Sequence, residues 1–242
     1  MRSKLVAANW KMNGSYRANA AWFEAFAARV TRDLRDAGFP ECPGGYVATR
    51  WAGPLGEWER RFAAWVDAPT PEAVLQGAIF FDYRRVAGAL SLAPLEAILA
   101  GAAKKGPFLR FLARAALDFR PPPALVLRLR GASSSVDLKA HGIAPVVMLA
   151  RAYGLELGGG PRSTLERIEA AAAAGSLSPD AAANVADAYR FLVGLRLRVQ
   201  LRDLAKGAAA RQAVALSELS GVERSRLKDA LRAVRAFQEA GA

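Results

Sequence analysis

Helix start signals recur along the second half of the chain and leave few fold classes open to it. Ser163 and Ser220 are each followed three residues later by a glutamate, the capping-box spacing in which each side chain satisfies a free backbone N–H of the other residue. Ser178 precedes Pro179, a pair that opens a helix, and this helix can continue to about residue 205, before Gly207. These signals predict a helical bundle anchored by one long helix.

Apolar periodicity predicts helices in the first half as well. A spacing of four residues predicts a helix over residues 18–37 from Trp22, Phe26, Val30 and Leu34. A second amphipathic helix, with core aromatic rings and an end before Pro69, is predicted from Trp58, Phe62, Trp65 and Val66. Thr70-Pro71-Glu72 opens another helix. Two more are expected over residues 92–103 and 107–118.

Strands are expected only within the first 90 residues. Residues 4–8 form a short apolar run, CPGGYVAT reads as a loop into a strand, and AIFFDYRRV has the aromatic and β-branched content of a strand. Further on, the proline triplet of RPPPALVLRLRGASSS forbids a continuous helix and indicates an exposed hinge loop. The predicted fold is therefore mainly α, with two or three short strands near the start.

The composition excludes several classes of protein. One cysteine, Cys42, and one histidine, His141, are too few for a Cys/His zinc site. No run of eighteen apolar residues and no secretory signal pattern is present, which favours a cytoplasmic protein without a membrane partner. The formal charge of +12 invites a nucleic-acid interpretation, but the basic residues are scattered and not clustered, which disfavours it. A basic nucleic-acid-binding protein stays a minor alternative.

An ordered set of segments resembles one bacterial signal-transduction family. In chain order they are FEAFAARVTRDLRDAGFPECPGG, AIFFDYRRVAG, VDLKAHGIAPVVMLAR, STLERIEA, FLVGLRLRVQ and ERSRLKDALRAVRAFQ. Over residues 19–240 the chain resembles proteins that join a nucleotidyltransferase domain to a nucleotidyltransferase substrate-binding domain. The resemblance implies a small α+β remnant of the catalytic domain over residues 16–70. It also implies a helical-bundle substrate-binding domain over residues 71–242 and a signalling or regulatory role.

The resemblance also implies where metal-dependent chemistry would lie. In such enzymes a Gly-Ser turn holds the nucleotide phosphates, and an Asp-x-Asp pair with a third carboxylate binds two Mg²⁺ ions, which stabilise the entering and leaving oxygens. The third carboxylate corresponds to Asp82, but Gly14-Ser15 is followed by no Asp-x-Asp. Asp82 has an alternative interpretation as a structural carboxylate paired with Arg84 or Arg85. We expect the isolated chain to be inactive unless another chain completes the site with Mg²⁺ and a nucleoside triphosphate.

The first fifteen residues resemble a different enzyme. MRSKLVAANWKMNGS is similar to the opening strand and loop of triosephosphate isomerase, where the residues matching Asn9 and Lys11 contact the substrate. Segments that would carry that enzyme's histidine electrophile and glutamate base do not occur in the sequence. Residues 1–15 are therefore expected to be a separate segment of a chimera, with isomerase activity as a further alternative.

Charged residues in the helical half are candidates for acceptor binding. Asp137, Lys139 and Arg151 form a charged group that, by the family resemblance, faces the cleft between the two domains. There its cationic side chains could grip a phosphate or an acidic protein, although an ion pair orienting the loop against the helix start at Pro145 explains the group equally well. Arg84 beside Asp82 is a further candidate.

Arg198 lies on the long helix, with Arg202 on the same face at i, i+4 and Arg196 nearby. It could line the same cleft, or lie on a solvated face. The leading hypothesis is a binding or regulatory module that recognises a protein or small-molecule acceptor and has lost its catalytic half.

Overall fold

The computed structural model describes residues 16–39, 41–119 and 135–241. Helices dominate these residues, so the predicted mainly α fold is confirmed. The α-helices are α1 (Tyr16–Asp36), α2 (Ala48–Trp51), α3 (Leu55–Asp67), α4 (Pro71–Phe80), α5 (Ala93–Ala102), α6 (Gly106–Leu117), α7 (Ala144–Glu156), α8 (Thr164–Ala173), α9 (Pro179–Ala205) and α10 (Gly221–Ala240). A π-helical turn (Lys139–Ile143) precedes α7, and a 3₁₀ turn (Leu216–Glu218) precedes α10.

The helix starts lie where the capping residues predict them. The hydroxyl of Thr70 accepts a hydrogen bond from the backbone N–H of Ala73 at the start of α4, and Ser163 and Ser178 act in the same way at α8 and α9. Ser220 and Glu223 form a reciprocal capping box at α10. These bonds satisfy backbone donors that have no partner within the helix, so the local sequence determines each start.

The strands are not where the sequence predicts them. Of the three segments expected to be strands, two are described: 42–49 leads into α2, and 78–86 begins inside α4 and continues into a turn. The cap at Thr70 and the proline at Pro71 start a helix that buries Ala73, Val74, Gly77 and Ala78, and this packing outweighs the local strand preference of the aromatic residues. The predicted strand at 4–8 and most of the predicted hinge at 120–135 lie outside the described residues.

Two short strands lie in the helical half. β1 (Ser135–Asp137) pairs antiparallel with β2 (Ala213–Ala215), and Val136 lies opposite Val214. The expectation that strands are confined to the first 90 residues is therefore wrong. Three-residue strands produce too little alternation to be recognised in a sequence, and their pairing depends on helices that bring distant residues together.

The described residues fall into two compact units, one within Met1–Ala63 and Arg84–Leu95 and the other within Ala64–Tyr83 and Glu96–Ala242. In the first unit, Trp51 donates from Nε1 to the carbonyl oxygen of Gly45, and the guanidinium of Arg61 lies over the rings of Trp51 and Trp58. Phe62 is buried as predicted, whereas Trp22 and Phe26 on α1 stay exposed and stack on each other.

The second unit, called here the helical unit, contains the main core. Helix α9 packs along α10, and α7 packs against α6 and α8. Among the large side chains that are almost fully buried are Phe108, Leu112, Leu138, Leu149, Ile168, Leu192, Leu227 and Phe237. Buried Gln238 on α10 donates from Nε2 to the carbonyl oxygens of Ala116 and Phe119, which would otherwise lack a partner at the end of α6. Within the described segments no helix is both long and apolar enough to cross a membrane.

A charged network joins the end of α9 to the segment around β2. The carboxylate of Asp203, which is buried, accepts hydrogen bonds from the guanidinium of Arg211 and from its backbone N–H. Arg211 also donates to Glu218 at 2.8 and 3.2 Å. The side-chain and then the backbone hydrogen bonds from Arg211 lower the pKa of Asp203 to about 2. The network therefore holds the chain that leads into β2 against α9.

The network predicts a specific loss of stability in acid. Because the folded-state pKa of Asp203 lies below its ordinary value of 3.8, its contribution is complete above that value and is lost as the pH falls towards about 2. Between about pH 5 and about pH 2.5, the free energy of unfolding of Asp203→Asn should decrease less steeply with falling pH than that of the wild type. Urea unfolding at several pH values measures this. Asp229→Asn, in an exposed pair with Arg232, is the control and should follow the wild-type slope.

Candidate functional site

Two buried arginines share one carboxylate in the helical unit. Asp82 follows the C-terminal end of α4, and its two oxygens accept hydrogen bonds from Nη2 of Arg151 and Nη2 of Arg167, each at 2.5 Å. The side chains of Arg151 and Arg167 are 6% and 4% exposed, and that of Asp82 is 30% exposed. The three residues, called here the arginine cluster, tie α4, α7 and α8 together.

The helices position both guanidinium groups. Arg151 lies in the middle of α7, which is buried along most of its length. Arg167 lies one turn into α8, and its Nε donates to the carbonyl oxygen of Pro161 at 2.9 Å. A Cβ atom at Gly154 would lie only 3.0 Å from Cγ of Arg167, so a larger residue there would displace the Arg167 side chain.

A glycine loop and a third arginine border the cluster. Gly158, Gly159 and Gly160 have φ values of 84°, 94° and 84°, a backbone conformation that favours glycine at all three positions. Arg162 then lies over the ring of Tyr83, with its Cζ 5.0 Å from the ring centroid. The same guanidinium donates to the carbonyl oxygen of Gly160 and lies 3.4 Å from a carboxylate oxygen of Glu96.

The cluster carries more positive than negative charge. Burial by itself would raise the pKa of Asp82, but hydrogen bonds from Arg151 and Arg167 and their positive charges hold it below its usual value. Burial lowers the pKa of Arg167, and the nearby charges of Arg151 and Arg162 lower it further, while Asp82 opposes the change. Two buried cations are thus balanced by a single, partly exposed anion.

Among the predicted site residues that the structure describes, it brings together two, Asp82 and Arg151. Asp82 is not paired with Arg84 or Arg85, so that interpretation is wrong: Arg84 is exposed, and Arg85 donates to the carbonyl oxygen of Leu90. The true partners lie 69 and 85 residues away along the chain, where no local pattern connects them with Asp82. The role of Arg84 in acceptor binding stays a prediction.

The remaining candidates lie apart from the cluster. Asp137 accepts a hydrogen bond from the backbone N–H of Ala140 at 2.8 Å, so it orients the turn before α7 without an ion pair to Arg151. Lys139 is exposed. Arg198 pairs at 2.5 Å with Glu223, the capping-box glutamate of α10, which gives it a structural contact. Asn9 and Lys11 lie outside the described residues.

Sequence reasoning missed Arg167 as a member of the site, because a position in the first turn of α8 fits an ordinary helix-start residue. A signal was nonetheless present. Arg167 lies directly before Ile168 and four residues before Ala171, both of which are buried, so it occupies the apolar face of an amphipathic helix. A charged residue on such a face needs a partner inside the protein.

Metal binding can be judged only over the part of the chain that the structure describes. Within residues 16–39, 41–119 and 135–241, no three or more histidine, cysteine, aspartate or glutamate side chains are grouped so that they could hold a metal ion. The assignment of Asp82 as a metal ligand stays a prediction, and both its oxygens already accept hydrogen bonds from arginines.

Comparison with protein families gives two matches. Residues 106–242, more than half of the chain, match the model described as "Putative nucleotidyltransferase substrate binding domain". Residues 3–72 match "Putative nucleotidyltransferase DUF294". The second match begins at residue 3 and includes the segment that resembles triosephosphate isomerase, so the comparisons give no support to a chimera. No curated protein and no solved structure matches the chain. The predicted domain boundaries after residues 15 and 70 stay predictions.

The cluster predicts a large effect of a small substitution. Asp82→Asn removes the negative charge between two buried guanidinium groups, a change that costs about 3–5 kcal/mol in a fully buried pair. Because Asp82 is partly exposed, we expect the free energy of unfolding to fall by about 1–3 kcal/mol. Urea denaturation followed by circular dichroism measures the change.

Asp187→Asn is the matched control, because Asp187 forms an exposed pair with Arg190 on α9. We expect it to change the free energy of unfolding by less than about 0.5 kcal/mol. Equal effects of the two substitutions would contradict the assigned role of the cluster.

Proposed function

The chain belongs to the family of nucleotidyltransferase substrate-binding domains, and on that basis we propose that its helical unit binds the acceptor of a bacterial signalling nucleotidyltransferase. The acceptor is a protein or a small molecule that another catalytic centre modifies. We further propose that the isolated chain does not transfer a nucleotidyl group. The match of a second family model to residues 3–72 supports a remnant of the catalytic domain before the helical unit.

The observation that carries the proposal is the environment of Asp82. A carboxylate that binds magnesium must offer an oxygen to the ion, since magnesium demands near-ideal octahedral oxygen coordination. Asp82 accepts a charge-assisted hydrogen bond on each oxygen, and both donors come from buried arginines of the helical unit. Metal binding would require at least one of these bonds to break next to two positive charges. Asp82 is therefore better suited to holding the helices of the binding unit together than to binding a metal ion for nucleotidyl transfer.

The sequence before the helical unit supports the same conclusion. Gly14-Ser15 is followed by no Asp-x-Asp pair, so the two further carboxylates that would complete a two-metal site have no counterpart. One carboxylate cannot hold two magnesium ions in the geometry that stabilises both the entering and the leaving oxygen. A separate chain that supplies these carboxylates, with Mg²⁺ and a nucleoside triphosphate, would complete the reaction.

The helical unit offers space for an acceptor. A cavity of about 700 Å³ lies beside α6 and α7, with an apolar floor that includes Leu109 and Leu149. Arg110 and Glu156 place charges of both signs at its lining, and the Tyr153 ring contributes a phenol. This volume lies within the range of small-molecule sites, and a mixed apolar and charged lining supports binding of an acceptor there.

The proposal predicts the outcome of a turnover assay. Purified chain with Mg²⁺ and each nucleoside triphosphate should release no pyrophosphate above background, because loss of the metal clamp removes several kcal/mol of transition-state stabilisation. Release of labelled pyrophosphate is the measurement. The control is the same assay with added extract fractions, in which a complementing catalytic chain would restore release.

Activity of the purified chain that disappears in Asp82→Ala would show that Asp82 binds a metal ion and would refute the proposal of an inactive chain. Activity that survives Asp82→Ala would refute it as well, and would place the catalytic carboxylates elsewhere in the chain.

A further inference from the structure

The arginine cluster is short of one negative charge. Arg151 and Arg167 are both more than nine-tenths buried, and among the described residues Asp82 is the one carboxylate that bonds to them. A buried cation is costly unless an anion compensates it. The charge balance of the cluster is therefore suited to a further anion.

The cluster also has unused hydrogen-bond donors. An arginine side chain carries five N–H donors in a planar fork. Arg151 bonds to Asp82 through Nη2, whereas its Nε–H is buried and has no hydrogen-bond partner in the described parts of the chain. Buried donors are nearly always satisfied in folded proteins, so an unsatisfied one on a buried cation calls for an explanation. A bound anion would provide the missing acceptor.

Groups next to the arginine cluster add positive electrostatic potential, and one side of the cluster is exposed to solvent. Arg167 bonds back to the carbonyl oxygen of Pro161, which keeps its guanidinium near the N-terminal end of α8, where the helix dipole is positive. Arg162 borders the cluster, and its ion pair to the exposed Glu96 is long, at 3.4 Å. Asp82 and Arg162 are 30% and 28% exposed, so the cluster is reached from solvent on their side.

We propose that the arginine cluster, bordered by Arg162, is a binding site for a phosphate group. Two planar guanidinium groups match the oxygens of a phosphate, which can accept from both and carries up to two negative charges. With one phosphate dianion bound, the net charge of the arginine cluster and Arg162 together would be close to zero. The inference names the ligand chemistry of the helical unit, and it rests on the proposed function to the extent that this phosphate belongs to the acceptor or its nucleotide donor.

The direct test is calorimetric titration of the full chain with inorganic phosphate, with sodium chloride at equal ionic strength as the reference. We expect saturable binding of phosphate. Arg151→Lys keeps the charge but loses the fork, and should weaken binding by about tenfold or more. Arg162→Gln should weaken it less. The matched control is Arg190→Lys, an exposed arginine on α9 outside the cluster and outside the cavity beside α6 and α7, which should leave phosphate affinity unchanged.

Asp82→Asn separates a binding site from a purely structural cluster. Removal of its negative charge should tighten phosphate binding by about tenfold, because the repulsion between the carboxylate and the ligand disappears. Phosphate should then raise the melting temperature of this variant more than that of the wild type. Asp82→Asn and Arg162→Gln keep the test decisive if Arg151→Lys fails to fold.

The inference is overturned if phosphate binds no better than chloride, or if Arg162→Gln and Asp82→Asn leave its affinity unchanged. Phosphoserine and a nucleoside triphosphate as further titrants distinguish the two sources, since the natural one should compete with inorganic phosphate at lower concentration. Absence of phosphate binding leaves the proposed inactivity of the chain standing, because the turnover assay tests that separately. Pyrophosphate release by the purified chain, together with phosphate binding, would refute only the inactivity.

Discussion

The two guanidinium groups that converge on Asp82 are the constraint on which the helical unit depends. They join the end of α4 to the middle of α7 and to the first turn of α8. Charges this deeply buried are tolerated only with defined partners, so the three helices can meet in few other ways. Gly154 leaves room for the side chain of Arg167, and the positive φ values of the glycine loop at 158–160 shape the chain just before Pro161, whose carbonyl oxygen accepts from Arg167.

Elsewhere the described part of the unit relies mainly on apolar packing, and several of its polar contacts lie where a helix begins or ends. Gln238 satisfies the last carbonyl oxygens of α6, the Ser220–Glu223 box starts α10, and Arg211 holds the chain after α9 by bonds to Asp203 and Glu218. Each of these contacts meets the backbone or charge requirement of a terminus, and none lies in the middle of the core. The arginine cluster is the exception, and an exception of this kind points to function.

Membership of a family of nucleotidyltransferase substrate-binding domains is compatible with the proposed binding role of the helical unit. Transfer chemistry needs several carboxylates in fixed geometry, whereas recognition needs a rigid scaffold with a few charged groups at an opening. The helical unit has the second set of features in its described residues: a packed core, a cavity beside α6 and α7, and a buried arginine, Arg151, with an unused donor. These features support the proposal that the helical unit works with a separate catalytic centre.

The sequence by itself determined the helices, because caps and proline positions act within a few residues: Thr70, Ser163, Ser178 and Ser220 each start a helix where the pattern predicts one. It also identified two candidates, Asp82 through family resemblance and Arg151 as part of a charged group with Asp137 and Lys139. Only the tertiary structure decided that these two residues meet, that Arg167 joins them, and that Val136 pairs with Val214. Such contacts join residues tens of positions apart, and they form because buried helices must satisfy charges and backbone groups together, which no local pattern encodes.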